Sequence, residues 1–145
     1  MLVNRKDQIS KLFNLIYGLW FDTDSIIYDK EHHTVSIFLK HGRFYFFGAI
    51  ELPPSSVEIN SDSGVQIGNR SHACDLILTI MEVHAMTIVD TEKVGYYNLG
   101  KIEYDDNNSC IRIIGGIPVT IEVQVTSLNI ILQELGNETG PRCLP

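Results

Sequence analysis

Ile117-Pro118-Val119-Thr120-Ile121-Glu122-Val123-Gln124-Val125 decides the fold class. Apolar side chains at 117, 119, 121, 123 and 125 alternate with Pro118, Thr120, Glu122 and Gln124. Successive side chains of a strand point to opposite faces, so this period of two predicts one buried face and one wet face. Gly115-Gly116 ahead of it reads as a tight turn, and Cys110 to Ile114 as the partner strand. Asp105-Asp106-Asn107-Asn108-Ser109 reads as a polar turn, with a further strand at Lys101 to Tyr104. Beyond Val125, Leu128, Ile131, Leu132 and Leu135 return to helical spacing, while Asn129 and the β-branched pair Ile130-Ile131 suit a strand. A short C-terminal helix is therefore one of two readings there. Residues 1–136 read as a single globular domain and 137–145 as a loose tail.

Toward the N-terminus the same grammar continues. Cys74 to Val89 is apolar on both faces, and its β-branched content favours a strand, with a bend near His84-Ala85. Residues 53 to 73 are rich in Ser, Asn, Gly and Asp and read as a long loop behind Pro53-Pro54. Val35, Ile37 and Leu39 share one face of a strand that turns at His41-Gly42 and returns over Arg43 to Leu52. Ile9, Leu12, Phe13 and Ile16 instead fall at helical spacing, with Asn4 or Asp7 as cap and Gly18 as terminator. The expected fold is α+β, mainly β: an N-terminal amphipathic helix packed on an antiparallel sheet or small sandwich of about six or seven strands. Tyr28-Asp29 followed by Val35-Ser36-Ile37 parallels Tyr104-Asp105 followed by Ile111-Arg112-Ile113, at an offset of 76 residues. Such a match marks either an internal repeat or two ordinary hairpins.

Composition narrows the function classes. Of the 145 residues, 44% are hydrophobic, enough apolar surface to offset the entropy of ordering and exclude a disordered chain. Eleven Lys and Arg against 18 Asp and Glu give a net charge of −7, which argues against nucleic acid as the partner. No run reaches the roughly 20 apolar residues of a bilayer span. The apolar stretch Leu12 to Phe21 ends in Asp22-Thr23-Asp24, without the small residues of a cleavage site. The three cysteines, Cys74, Cys110 and Cys143, form no recognised pair spacing and read as free thiols. A cytoplasmic protein with no membrane association is the expectation.

Catalytic and metal motifs are sparse. His32, His33, His41, His72 and His84 lack zinc-type pair spacing, although His72 and Cys74 would share one face of a strand. The 105–109 turn fails the calcium-loop pattern, which needs Gly where Cys110 stands and Glu where Gly116 stands. No nucleophile elbow or phosphate-binding loop occurs. Asp22 and Asp24 form a carboxylate pair whose commoner use is turn formation. No cofactor, no metal and no catalytic residue is assigned, and the reading leans away from an enzyme.

Charge distribution gives the functional clue. Residues 1–50 carry six basic and five acidic side chains, whereas residues 51–145 carry five and thirteen. Asp90, Glu92, Glu103, Asp105 and Asp106 lie close together along the chain and are expected to form an acidic patch that steers a basic protein partner. Immunity proteins neutralise toxin nucleases in this way, a comparison of type and not of sequence. Two alternatives stand beside this reading. One is a small enzyme or ligand-binding domain using the 53–73 loop, His72, His84 and Asp22 or Asp24. The other is a homo-oligomeric structural protein assembled through strand edges or the Trp20-Phe21 surface.

Overall fold

The computed structural model describes residues 1–41 and 75–135. The 41–42 turn, the return strand over 43–52, the 53–73 loop, His72, Cys74 and the 137–145 tail therefore lie wholly or partly outside the described residues.

The chain opens with β1 (Leu2–Val3), a 3-10 turn at Lys6–Gln8 and helix α1 (Ile9–Ile16). Leu12 and Ile16 are fully buried, and Ile9 and Phe13 pack against the same core, as the spacing predicts. The expected caps are replaced. Gln8 Oε1 accepts the backbone N–H groups of Asn4 and Arg5 at 2.8 and 3.0 Å, while Asp7 bonds Arg5 Nε. Gly18 ends the helix region in the left-handed conformation, φ +83°, and its N–H donates to the Leu99 carbonyl at 3.0 Å.

Among the described residues nine more strands follow: β2 (Trp20–Asp22), β3 (Ile27–Asp29), β4 (Thr34–Leu39), β5 (Leu76–Ile80), β6 (Val83–Val89), β7 (Tyr96–Asp105), β8 (Cys110–Gly115), β9 (Thr120–Val125) and β10 (Ile130–Glu134). They form two five-stranded antiparallel sheets, β1-β10-β5-β4-β3 and β2-β7-β8-β9-β6. Alternate residues of both sheets, among them Ile37, Leu78, Leu132, Tyr97, Ile113 and Ile121, bury completely in one shared core. Among the described residues no helix is long and apolar enough to cross a membrane.

Mainly β with one N-terminal helix is thus correct, while several finer expectations change. In place of a sheet or small sandwich of about six or seven strands, the described residues form ten strands in two sheets. The C-terminal helix is absent: Ile130 and Leu132 are buried while Ile131 and Gln133 face outward, because β10 fills the slot between β1 and β5. The described part of the 74–89 run, from Asp75 on, holds two strands in different sheets. The chain crosses between sheets at Met81-Glu82, where Glu82 takes φ +61°, and a bulge between Val83 and Ala85 supplies the expected bend. Trp20-Phe21 is strand β2 rather than an unpartnered surface, with Phe21 fully buried and Trp20 stacked on Tyr96. The start of β7 escaped the period-two pattern because of a bulge between Leu99 and Lys101. Tyr97 and Leu99 point inward before it, Ile102 and Tyr104 after it.

The 76-residue offset corresponds to a structural repeat. β3 pairs with β4 as Tyr28↔Val35 and Asp29↔Thr34, and β7 with β8 as Tyr104↔Ile111 and Asp105↔Cys110. Both turns are built alike. Asp29 accepts from the Glu31 and His32 N–H groups, Asp105 from those of Asn107 and Asn108. His33 and Ser109 close them with φ +59° and +50°. The third strands also correspond, since Val35 pairs with Ile80 and Ile37 with Leu78, as Ile111 pairs with Val123 and Ile113 with Ile121. The fourth strands are exchanged: β5 runs on into β6, beside β9, and β9 runs on into β10, beside β5.

Candidate functional site

The five acidic residues do not form one patch. Asp90 and Glu92 lie between the end of β6 and the start of β7, whereas Glu103 and Asp105 lie at the far end of β7 and Asp106 in the next turn. Strand β7 has ten residues and spans roughly 30 Å at the usual strand rise. Neighbours along a chain are carried apart when a long strand runs between them.

Four of the five carboxylates already have work. Asp90 accepts the Lys93 N–H at 3.0 Å and the hydroxyl of Tyr97, whose side chain is fully buried. The buried phenol needs a partner for its O–H, so Asp90 locks the core. Glu92 beside it is exposed. At the other end Arg112 binds Glu122 through Nε at 3.2 Å and lies 3.6 Å from Asp105. Glu103 sits across the ladder from Arg112 and pairs with Lys101 at 3.6 Å, and Asp106 pairs with Lys6 at 3.5 Å. The Asn108 side-chain amide, 2.7 Å from Asp105, holds that carboxyl below the usual carboxylate range. The Glu122 bond raises the Arg112 pKa. This second group is balanced by cations of its own chain.

The histidines gather in part. His32, His33 and His84 line a groove of ≈ 470 Å³ with Thr34, Met81, Glu82, Val83 and Thr126. His32 Nδ1 lies 2.8 Å from Asp29 Oδ2, a contact that lowers the Asp29 pKa. Among the described residues no group of three or more His, Cys, Asp or Glu side chains is placed to hold a metal ion. Asp22 accepts the Asp24 N–H at 2.9 Å, so that pair forms a turn. Cys110 is buried, and burial pushes its thiol up, away from the thiolate. A second groove, ≈ 530 Å³, runs between α1 and β7, with Ile9 and Phe13 on one side and Ile102 and Tyr104 on the other.

The feature that local pattern did not expose is the outer edge of β6. Val83-His84-Ala85-Met86-Thr87-Ile88-Val89 contains no charged residue. It pairs with β9 on one side, and among the described residues no strand pairs with the other. Val89 is 51% exposed. Glu82 precedes the strand, and Asp90 and Glu92 follow it. Natural edge strands are commonly protected by charge, proline or irregularity, and among the described residues the bulge at the start of the strand is the one such device here. A lack of charge was visible in the sequence, but edge position depends on which strands are neighbours. No protein-family model, curated protein or solved structure matches the chain.

Proposed function

We propose that this chain is a non-enzymatic protein-binding module for a basic protein partner, working in the cytoplasm. The observation that supports the reading most is the uncharged β6 edge, which no strand pairs with among the described residues and which has carboxylates at both ends. A free row of backbone N–H and C=O groups is a template for another chain, and alternate side chains beside it give specificity. Net charge adds long-range attraction to a cationic partner, which salt screens. The Asp90–Glu92 end replaces the single five-residue patch as the acidic element of this reading, because Glu103, Asp105 and Asp106 are paired internally.

A ligand-binding role has one observation in its favour, the groove shared by His32, His33 and His84. Homo-oligomerisation through β6 meets an electrostatic obstacle. Antiparallel self-pairing centred on the strand sets Glu82 of one copy near Asp90 and Glu92 of the other.

The test is affinity purification at low and high salt, followed by titration calorimetry of the purified chain against the recovered protein. The expected result is a discrete basic partner whose affinity falls as ionic strength rises. A chain that associates with no protein, yet is stabilised by a small molecule in a thermal-shift screen, sinks the proposal in favour of the groove.

A further inference from the structure

We infer that the β6 edge takes an extended segment of the partner, antiparallel to β6, with a cationic group at the segment's N-terminal end beside Asp90 and Glu92. This rests on the protein-binding reading and adds the place, the direction and the charge.

The repeat supplies the argument. In the first sheet β10 pairs with β5 as Ile130↔Ile80, Ile131↔Thr79 and Leu132↔Leu78. In the second sheet β6 pairs with β9 as Met86↔Val123, Thr87↔Glu122 and Ile88↔Ile121. Ile80 and Leu78 correspond to Val123 and Ile121, so Ile130, Ile131 and Leu132 correspond to Met86, Thr87 and Ile88. The outer edge of β10 is occupied. β1 pairs with it antiparallel, Leu2↔Ile131 and Val3↔Ile130. The Leu132 N–H donates to the Met1 carbonyl at 2.8 Å, and the Met1 α-ammonium donates to the Leu132 carbonyl at 2.9 Å. The molecule therefore shows how this kind of edge is filled: by a short extended segment running antiparallel to it.

The equivalent place on β6 has no strand among the described residues. A segment in the same register would bond Met86 and Ile88, and its N-terminal end would lie by the Ile88 carbonyl. The chain that follows contributes Asp90 and the exposed Glu92, with Lys93 as the nearby cation. Asp90 is bonded to Tyr97 and the Lys93 N–H, so the exposed Glu92 is the carboxylate that a cation at this end of the segment would face. The far end of the segment meets Glu82, so an uncharged centre with a basic N-terminal end fits better than a second copy of β6.

The experiment is a nuclear magnetic resonance titration of the full chain at low salt with three peptides. One is a seven-residue peptide of alternating valine and threonine with two lysines at its N-terminal end. The second carries two glutamates instead, and the third has the first sequence reversed. The expected result is shifted, slowly exchanging amides at Met86, Thr87 and Ile88 with the first peptide alone. Glu92→Lys, a change at an exposed side chain, should weaken that binding about fivefold. Equal binding of all three peptides overturns the inference. So does concentration-dependent protection of Ile88 without peptide, which indicates a second copy, and so does protection at every concentration, which indicates the chain's own segment. Shifts confined to other surfaces overturn the inference while leaving the protein-binding reading in place. No shift with any peptide at millimolar concentration also overturns the inference, and the protein-binding reading then rests on the affinity purification alone.

Discussion

Asp90 and Glu92 are two residues apart and do different things. Asp90 receives the hydroxyl of a fully buried tyrosine, so Asp90→Ala should orphan that donor and cost about 1–3 kcal/mol. Glu92→Ala should stay within about 0.5 kcal/mol of the parent, as exposed positions usually do. Urea denaturation of the two variants checks the contrast. Asp29 and Asp105 carry the titration signature of their turns, since both carboxyls are held below the usual range by side-chain bonds from His32 and Asn108. The sign follows from linkage. The unfolded chain takes up these protons first as pH falls, so the stabilisation is complete above the ordinary carboxylate pKa and is lost through the lower folded values. Unfolding measured from pH 7 to pH 3 should show a shallower acid decline in Asp29→Asn/Asp105→Asn than in the parent. Ser109 sits at φ +50° in one of these turns, and Ser109→Gly should raise stability by up to about 1 kcal/mol in the same assay.

Elements were legible where local pattern and tertiary demand agree. The Ile9-Leu12-Phe13-Ile16 stripe, the Val35-Ile37-Leu39 face and the alternation up to Val125 all correspond to buried faces. They disagree at three places. Leu128, Ile131, Leu132 and Leu135 have helical spacing, but two open ladders on either side favour a strand. The bulge at β7 shifts the period by one residue, and no alternation rule survives such a slip. Ile117 looked like the first residue of a strand that begins at Thr120, because the Gly115 N–H closes the turn on the Val119 carbonyl at 3.0 Å. That turn is tight: a Cβ on Gly115 would stand 2.6 Å from Val119 Cγ1. Gly115→Ala should therefore cost about 1–3 kcal/mol by overpacking, read as a lower midpoint in thermal unfolding.

For the whole molecule, the candidate site was only half legible. The acidic residues were visible, but their grouping depended on strand direction, and the β6 edge depended on strand order, neither of which a local window reports. The repeat was visible as a 76-residue offset, yet its consequence emerged only from the exchange of fourth strands. That exchange has a further result. Four strand pairings, β1 with β10, β5 with β10, β2 with β7, and β6 with β9, join the part before residue 90 to the part after residue 95. The peptide between them belongs to no strand. A chain nicked there should stay whole on size exclusion under native conditions. Its two pieces, separated in denaturant and mixed again, should find each other and complement, which would make this small protein a natural two-piece reporter of proximity.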